Sequence, residues 1–340
     1  MPVELKSPFC CNKLVYLEPN GRGKPLQNTM LKEVLLRINV FLAVPNRSFK
    51  LKNIVMILVT GANGHLGSAT IDYLLERNTD EDIVGLVRSK EKGKELKEKG
   101  VEIRIGDYNN YDTIEKALQG INTLLLISSS TVEGRVEQHK NVVDAAIRED
   151  IDQFFYTSIV QADKLLSPLS RSHYETEKLI QDSGIPYTIF RNTFYTDFLP
   201  MYWENALASG EWYYPSDGQQ LNFALRDEMG EALANALADP ADHQNETYEI
   251  TSADSYTLSD IADVLQEETT KEITYHDISV EDFEEQLREA ELPNDIINLS
   301  VSVAKTFVNG GLDFASDSLE NLLGRKPTDT LEFVRQAANE

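Results

Sequence analysis

Hydrophobic positions change their period along this chain. Residues 54–59 read Ile-Val-Met-Ile-Leu-Val, an apolar and largely β-branched run of the kind that forms a buried strand. Three glycines follow at three-residue spacing, Gly61, Gly64 and Gly67, and Leu66, Ala69 and Tyr73 then recur at helical intervals. A strand, a tight turn and a helix are predicted in succession. Further apolar runs lie at 83–87, 101–105, 123–127, 153–157 and 187–190. Segments of helical period separate them, as where Val136, Val143 and Ile147 share one face. Strands alternating with helices predict the α/β class, a doubly wound parallel sheet with right-handed crossovers. After Asn192 the alternation weakens. A strand near 246–251 is expected to complete the sheet, followed by a helix over 258–266 behind Thr257 and a solvated acidic helix over 281–291.

Sheets of this kind bind ligands at the carboxyl ends of their strands. At the end of the first strand the glycines have separable tasks. One permits the turn, one lets backbone N–H groups approach a pyrophosphate, and one lets the helix pack closely. Gly61, Gly64 and Gly67 are therefore the expected phosphate turn, with the anion at the positive end of the helix. The second strand ends in Arg88, 21 positions after Gly67, where NAD enzymes usually place an acid for the ribose 2′-hydroxyl. A cation there pairs with a 2′-phosphate, which favours NADP(H) as cofactor.

The third strand ends in Gly106-Asp107-Tyr108, and Asp107 suits either the adenine amine or a turn. The fourth ends in Ser128-Ser129-Ser130, small polar residues that could line the ribose side. His139 falls on the apolar face of its helix and reads as a core histidine. Beyond the fifth strand, Tyr174 and Lys178 stand four apart on a helix, sixteen residues after Ser158. An ammonium near a phenol stabilises its anion. Tyr174 would then serve as general acid or base, with Ser158 holding the substrate oxygen and Lys178 on the cofactor ribose. Any Tyr-x-x-x-Lys also arises by chance among fourteen tyrosines, so the catalytic role stays open here. Aromatic residues gather at Phe194, Tyr195, Phe198, Tyr202 and Trp203, then at Trp212, Tyr213 and Tyr214; a flat ring could stack among them, and most of them are expected to be ordinary core.

The 340 residues, 41% hydrophobic and 26% charged, suit a globular protein with ample core. A net charge of -24 argues against nucleic acid. Cys10 and Cys11 are the only cysteines and the five histidines are scattered, so no metal site is expected and a cytoplasmic setting fits. Residues 1–55 differ, with nine basic and three acidic side chains. Their apolar run over 34–44 is too short to span a bilayer and too deep for a signal peptide. They read as a basic extension of doubtful authenticity, with Met56 beginning the fold, or as a functional basic arm. The expected division is this extension, a nucleotide-binding domain over 56–192, and a smaller α/β substrate region over 193–340.

The segments TGANGHLG, GLVRS, GDYNN, LLLISSS, EQHKNVVDAA, YTSIVQAD and HYETEKLIQDSGIPYTIFRN together resemble the NmrA-like atypical short-chain dehydrogenases, in particular the branch of bacterial type 2 NAD(P)H:quinone oxidoreductases. The resemblance is dense over 56–200, thinner beyond, and does not cover the first 55 residues. It implies a Rossmann fold, NADPH as cofactor, a phosphate loop of Gly61, Asn63, Gly64, His65, Leu66 and Gly67 with Arg88 on the 2′-phosphate, hydride transfer to a quinone-like small molecule, and a substrate-side segment running from Arg191 through Asn192, Thr193 and Phe194 to Tyr195. Two other readings remain at this stage: an NmrA-like regulator that senses the dinucleotide without turnover, and a nucleotide-sugar epimerase that would need Tyr174. The pattern leaves open whether a homodimer completes the cleft.

Overall fold

The computed structural model describes residues 15–17, 23–25, 55–77 and 81–339. Two units are compact, Met1–Asn53 and Ile54–Glu340. In the first, strands Val15–Leu17 and Gly23–Pro25 pair antiparallel; the rest of the predicted basic extension, up to residue 54, lies outside the described residues.

The second unit opens with β1 (Met56–Val59), α1 (His65–Glu76), β2 (Asp82–Val87), α2 (Lys94–Glu98), β3 (Glu102–Ile105), α3 (Tyr111–Leu118), β4 (Thr123–Leu126), α4 (Arg135–Arg148), β5 (Gln153–Ile159), α5 (Pro168–Asp182) and β6 (Tyr187–Asn192). After it come β7 (Phe194–Tyr195), α6 (Leu199–Ser209), β8 (Glu211–Tyr213), β9 (Leu221–Ala224), α7 (Arg226–Ala238), β10 (Glu246–Ile250), β11 (Ser255–Tyr256), α8 (Leu258–Thr269), β12 (Thr274–His276), α9 (Val280–Glu289), α10 (Asn294–Val308), α11 (Ser318–Leu323) and α12 (Thr330–Ala337). Seven strands form one sheet in the order β3-β2-β1-β4-β5-β6-β10. All of its pairings are parallel.

Alternation along the strands sends neighbours to opposite faces. Leu125, Phe155 and Phe190 pack with Ile71 and Leu74 of α1 and with Met229 and Leu233 of α7. Leu124, Leu126, Phe154 and Ile189 pack on the other face with Leu118, Val142 and Ile180. Burial on both faces is why these strands read as unbroken apolar runs. A third core, around Trp203, Trp212, Phe223, Ile261 and Phe307, fills the lobe made largely by the C-terminal elements.

The chain does not leave the nucleotide-side core for good at Asn192. Helix α7 and strand β10 return to it, bringing Ala232, Ala236, Leu237 and Ile250. Gly230 makes the return possible, since a methyl there would stand 2.7 Å from the Ala69 Cβ on α1. The predicted 193–340 region is therefore shared between two cores. Helix α8 begins at Leu258 behind a Thr257–Asp260 capping box, and α9 buries no residue.

Candidate active site

A cleft of about 300 Å³ opens where β1, β2, β3 and β4 end. Its floor is the glycine turn. Gly61 has φ of +57°, in the left-handed region that favours glycine. A methyl on Gly67 would lie 2.5 Å from the Gly61 carbonyl oxygen, so this glycine lets α1 start directly against the turn. Gly64 caps the helix, and no acidic side chain occupies the first turn. The first i→i−4 bond runs from Ser68 N–H to Gly64 O at 2.8 Å, so the amides of His65, Leu66 and Gly67 precede it. Asn63, Gly64 and His65 are exposed at this positive helix end. The Leu66 side chain is buried in the core, which leaves only its backbone for a ligand.

Arg88 stands exposed on the cleft wall and has no ion-pair partner among the described residues. Asp107 uses Oδ1 as a turn acceptor, from Asn109 N–H at 2.9 Å and Asn109 Nδ2 at 3.0 Å; no partner takes Oδ2 among the described residues. The Tyr108 hydroxyl lies 2.5 Å from Thr60 Oγ1 and 2.9 Å from the Ile127 carbonyl. It braces three strand ends, and burial pushes its phenol well above the usual value. Tyr108 is therefore a wall of the cleft, with its polar tip already engaged.

The serine wall is pinned from behind. Ser128 N–H donates to Thr157 Oγ1 at 3.0 Å, and Ser129 N–H donates to His139 Nε2 at 3.0 Å. His139 Nδ1 lies 3.0 Å from Thr176 Oγ1, whose own proton goes to the Ser172 carbonyl. The imidazole thus carries its proton on Nδ1 and is neutral, as a core histidine. Burial first, and Arg135 second, lower its pKa from 6.5 to about 3. Since the folded value is the lower one, the neutral ring contributes stability above pH 6.5 that is lost as pH falls toward 3. Going from pH 7 to 5 should cost about 2 kcal/mol through this residue. Urea midpoints of the protein and of His139→Gln at both pH values check it, the variant being less acid-sensitive by that amount.

Beyond the cleft the structure departs from the expected catalytic set. Ser158 is buried and donates its hydroxyl to Glu177 Oε1 at 2.5 Å. Glu177, fully buried, is gripped by Arg191 through Nε–Oε1 at 2.9 Å and Nη2–Oε2 at 2.8 Å. Arg191 also reaches Asp163 at 2.7 Å and Glu249 at 2.9 Å. Burial opposes its charge, but the bonds to Glu177 and Glu249 outweigh that and hold its pKa up. Ser158 is thus committed to an ion network with Arg191 as its hub. Lys178 is exposed, with Nζ 3.1 Å from Gln181 Oε1, and Tyr174 packs against the C-terminal lobe. Neither lines the cleft.

On the substrate side, Asn192 is buried at the end of β6, with neither amide atom hydrogen-bonded. Phe194 lies edge-on to Phe307 with centroids 5.4 Å apart, as part of the lobe's core. The Arg226 guanidinium sits 5.4 Å from the Tyr195 ring and 4.3 Å from Phe198. Sequence reasoning missed Arg135, Thr157, Glu177 and Gln138. Gln138 Nε2 reaches Asn109 Oδ1 across the cleft at 3.2 Å. Among the described residues no group of three or more His, Cys, Asp or Glu could hold a metal.

Comparison with known proteins agrees with this geometry. The chain is 33% identical over 284 residues to quinone oxidoreductase 2 of Escherichia coli (strain K12), covering 84% of this chain and 99% of that protein. The crystal structure of an Escherichia coli NADPH-dependent quinone oxidoreductase complexed with NADPH superposes with a TM-score of 0.79 at 33% identity, over 83% and 99% of the two chains. Triphenylmethane reductase of Citrobacter sp. complexed with NADP(H) gives 0.77 at 32%, over 83% and 99%. Residues 54–334 match the family profile as well, and the chain belongs to the NmrA-like family.

Proposed function

We propose that this protein is an NADPH-dependent oxidoreductase that reduces a quinone or a similar small conjugated acceptor. The observation that carries the reading is Arg88, an exposed guanidinium without a carboxylate partner among the described residues, on the wall of a cleft that the Gly61–Gly64 turn also lines. The site fits a 2′-phosphorylated dinucleotide: the turn leaves no room for a side chain at Gly67, and cation and helix end supply two separate anion contacts. The reduced dinucleotide supplies a hydride when bound.

The chain's own part is positioning. Helix α1 takes the diphosphate and Arg88 the 2′-phosphate, while Tyr108, Thr157 and His139 hold the strand ends rigid. The serine wall, with the Ser128 hydroxyl free of any partner among the described residues, orients the ribose side. Asp107, on the adenine side, is the one carboxylate that lines the cleft among the described residues; a quinone, being a good hydride acceptor, draws its proton from water. We place the reaction in the cytoplasm, the setting that a chain whose only cysteines are Cys10 and Cys11 fits.

The test is purified protein with NADPH and benzoquinone. Loss of the reduced-cofactor absorbance supports the reading, whereas NADPH binding without turnover would make the protein a dinucleotide sensor instead. Arg88→Ala should weaken NADPH binding by about tenfold to a hundredfold, the worth of a charge-assisted contact, and change NADH binding by less than about threefold. Titrations followed by cofactor fluorescence decide it.

A further inference from the structure

Arg135 is a buried cation at the head of a helix whose one first-turn acid, Glu137, is exposed. Arg135 is 3% exposed and forms no ion pair among the described residues. It is also the first residue of α4, where the helix dipole adds positive potential rather than offsetting it. Nε donates to the Ser129 carbonyl at 3.2 Å and Nη1 to Ser172 Oγ at 3.0 Å. The titratable groups that feel its charge among the described residues are His139, His173 and Tyr156, all buried, with the Tyr156 hydroxyl 2.8 Å from His173 Nδ1. Hydrogen bonds to neutral groups do not compensate a buried charge, whose desolvation costs several kcal/mol. The phosphates of a bound dinucleotide are already accounted for by α1 and Arg88.

The position of Arg135 indicates what the charge is for. Ser129 lines the cleft, and Val132 and Tyr174, flanking Arg135 and Ser172, pack on the C-terminal lobe. The guanidinium therefore lies where the cofactor cleft meets the substrate side. Delivery of a hydride to a quinone oxidises NADPH to NADP+ and leaves a negative oxygen on the reduced ring until water supplies a proton.

We propose that Arg135 is the counter-charge for the acceptor, a positioning residue behind the Ser129 wall that makes the site favour rings carrying or acquiring a negative oxygen. This rests on the hydride-transfer reading above. In a protein of net charge -24, such a local cation offsets the repulsion that an anionic ring otherwise meets.

The experiment is equilibrium binding to the NADP+-loaded protein, without turnover. Two ligands are compared by calorimetry: 2-hydroxy-1,4-naphthoquinone, ionised at neutral pH, and its neutral parent 1,4-naphthoquinone. The protein should bind the anion about tenfold more tightly, the size of a partly screened charge interaction. Arg135→Gln, which keeps donors for Ser129 and Ser172, should abolish that preference, and Arg135→Lys should restore most of it, with NADP+ affinity within about twofold throughout. Equal binding of the two ligands by the unaltered protein, failure to bind the anion, or a preference that survives Arg135→Gln overturns the proposal. Should Arg135→Gln not fold, the lysine variant and the unaltered protein's own preference still decide it. Loss of NADP+ binding by the unaltered protein would instead sink the dinucleotide reading.

Discussion

Gly67→Ala should abolish measurable NADPH binding. The added methyl would stand 2.5 Å from the Gly61 carbonyl oxygen and 3.0 Å from the Ala62 Cα. Both are backbone atoms, so no side chain can turn aside. Either α1 moves off the turn or the turn opens, and in both cases the amides no longer converge on one anion. Overpacking of this kind costs about 1–3 kcal/mol of stability, so the variant should still fold. The helix-end contact, by contrast, is lost whole. Fluorescence titration with NADPH, alongside a circular dichroism melt, separates the two effects. Tight binding by a folded Gly67→Ala protein would mean that the turn does not cradle phosphate.

The largest effect on stability is expected from Glu177→Ala. Its carboxylate has no exposed surface and joins Ser158 on β5 to Arg191 on β6. Removing one partner of a buried pair costs about 3–5 kcal/mol. Here Asp163 and Glu249 remain beside the guanidinium and moderate the loss toward the lower figure. A melting temperature lower by roughly 5 °C is expected for a chain of this size. Glu177→Gln, which still accepts from Ser158 and Arg191, should fall between the two.

Much of the fold was legible because its signals are local. Strand, glycine turn and helix follow one another within a dozen residues, and the parallel strands announce themselves as apolar runs because both faces are covered. Arg88 could be found by counting from the turn. What escaped depends on packing. On α5 the buried stripe is His173, Thr176, Glu177 and Ile180, at helical spacing but mostly polar, so hydrophobic periodicity did not reveal it. Tyr174 and Lys178 sit one residue out of phase with that stripe, which places them at the rim. Ser158 looked free because its partner lies 19 positions away on another element. Helix α7 gave little periodic signal since Gly230, Ala232, Ala234 and Ala236 are small and buried around much of its surface.

The return of α7 to the flank of α1 also bears on how this protein can be divided. The helix to which we assign the diphosphate leans on one made more than 150 residues later, with close backbone approach at Gly230. A fragment ending after β6 would retain every glycine of the turn yet lack the support behind it. Nucleotide recognition here is consequently a property of the near-complete polypeptide, not a detachable module that could be lent to another chain.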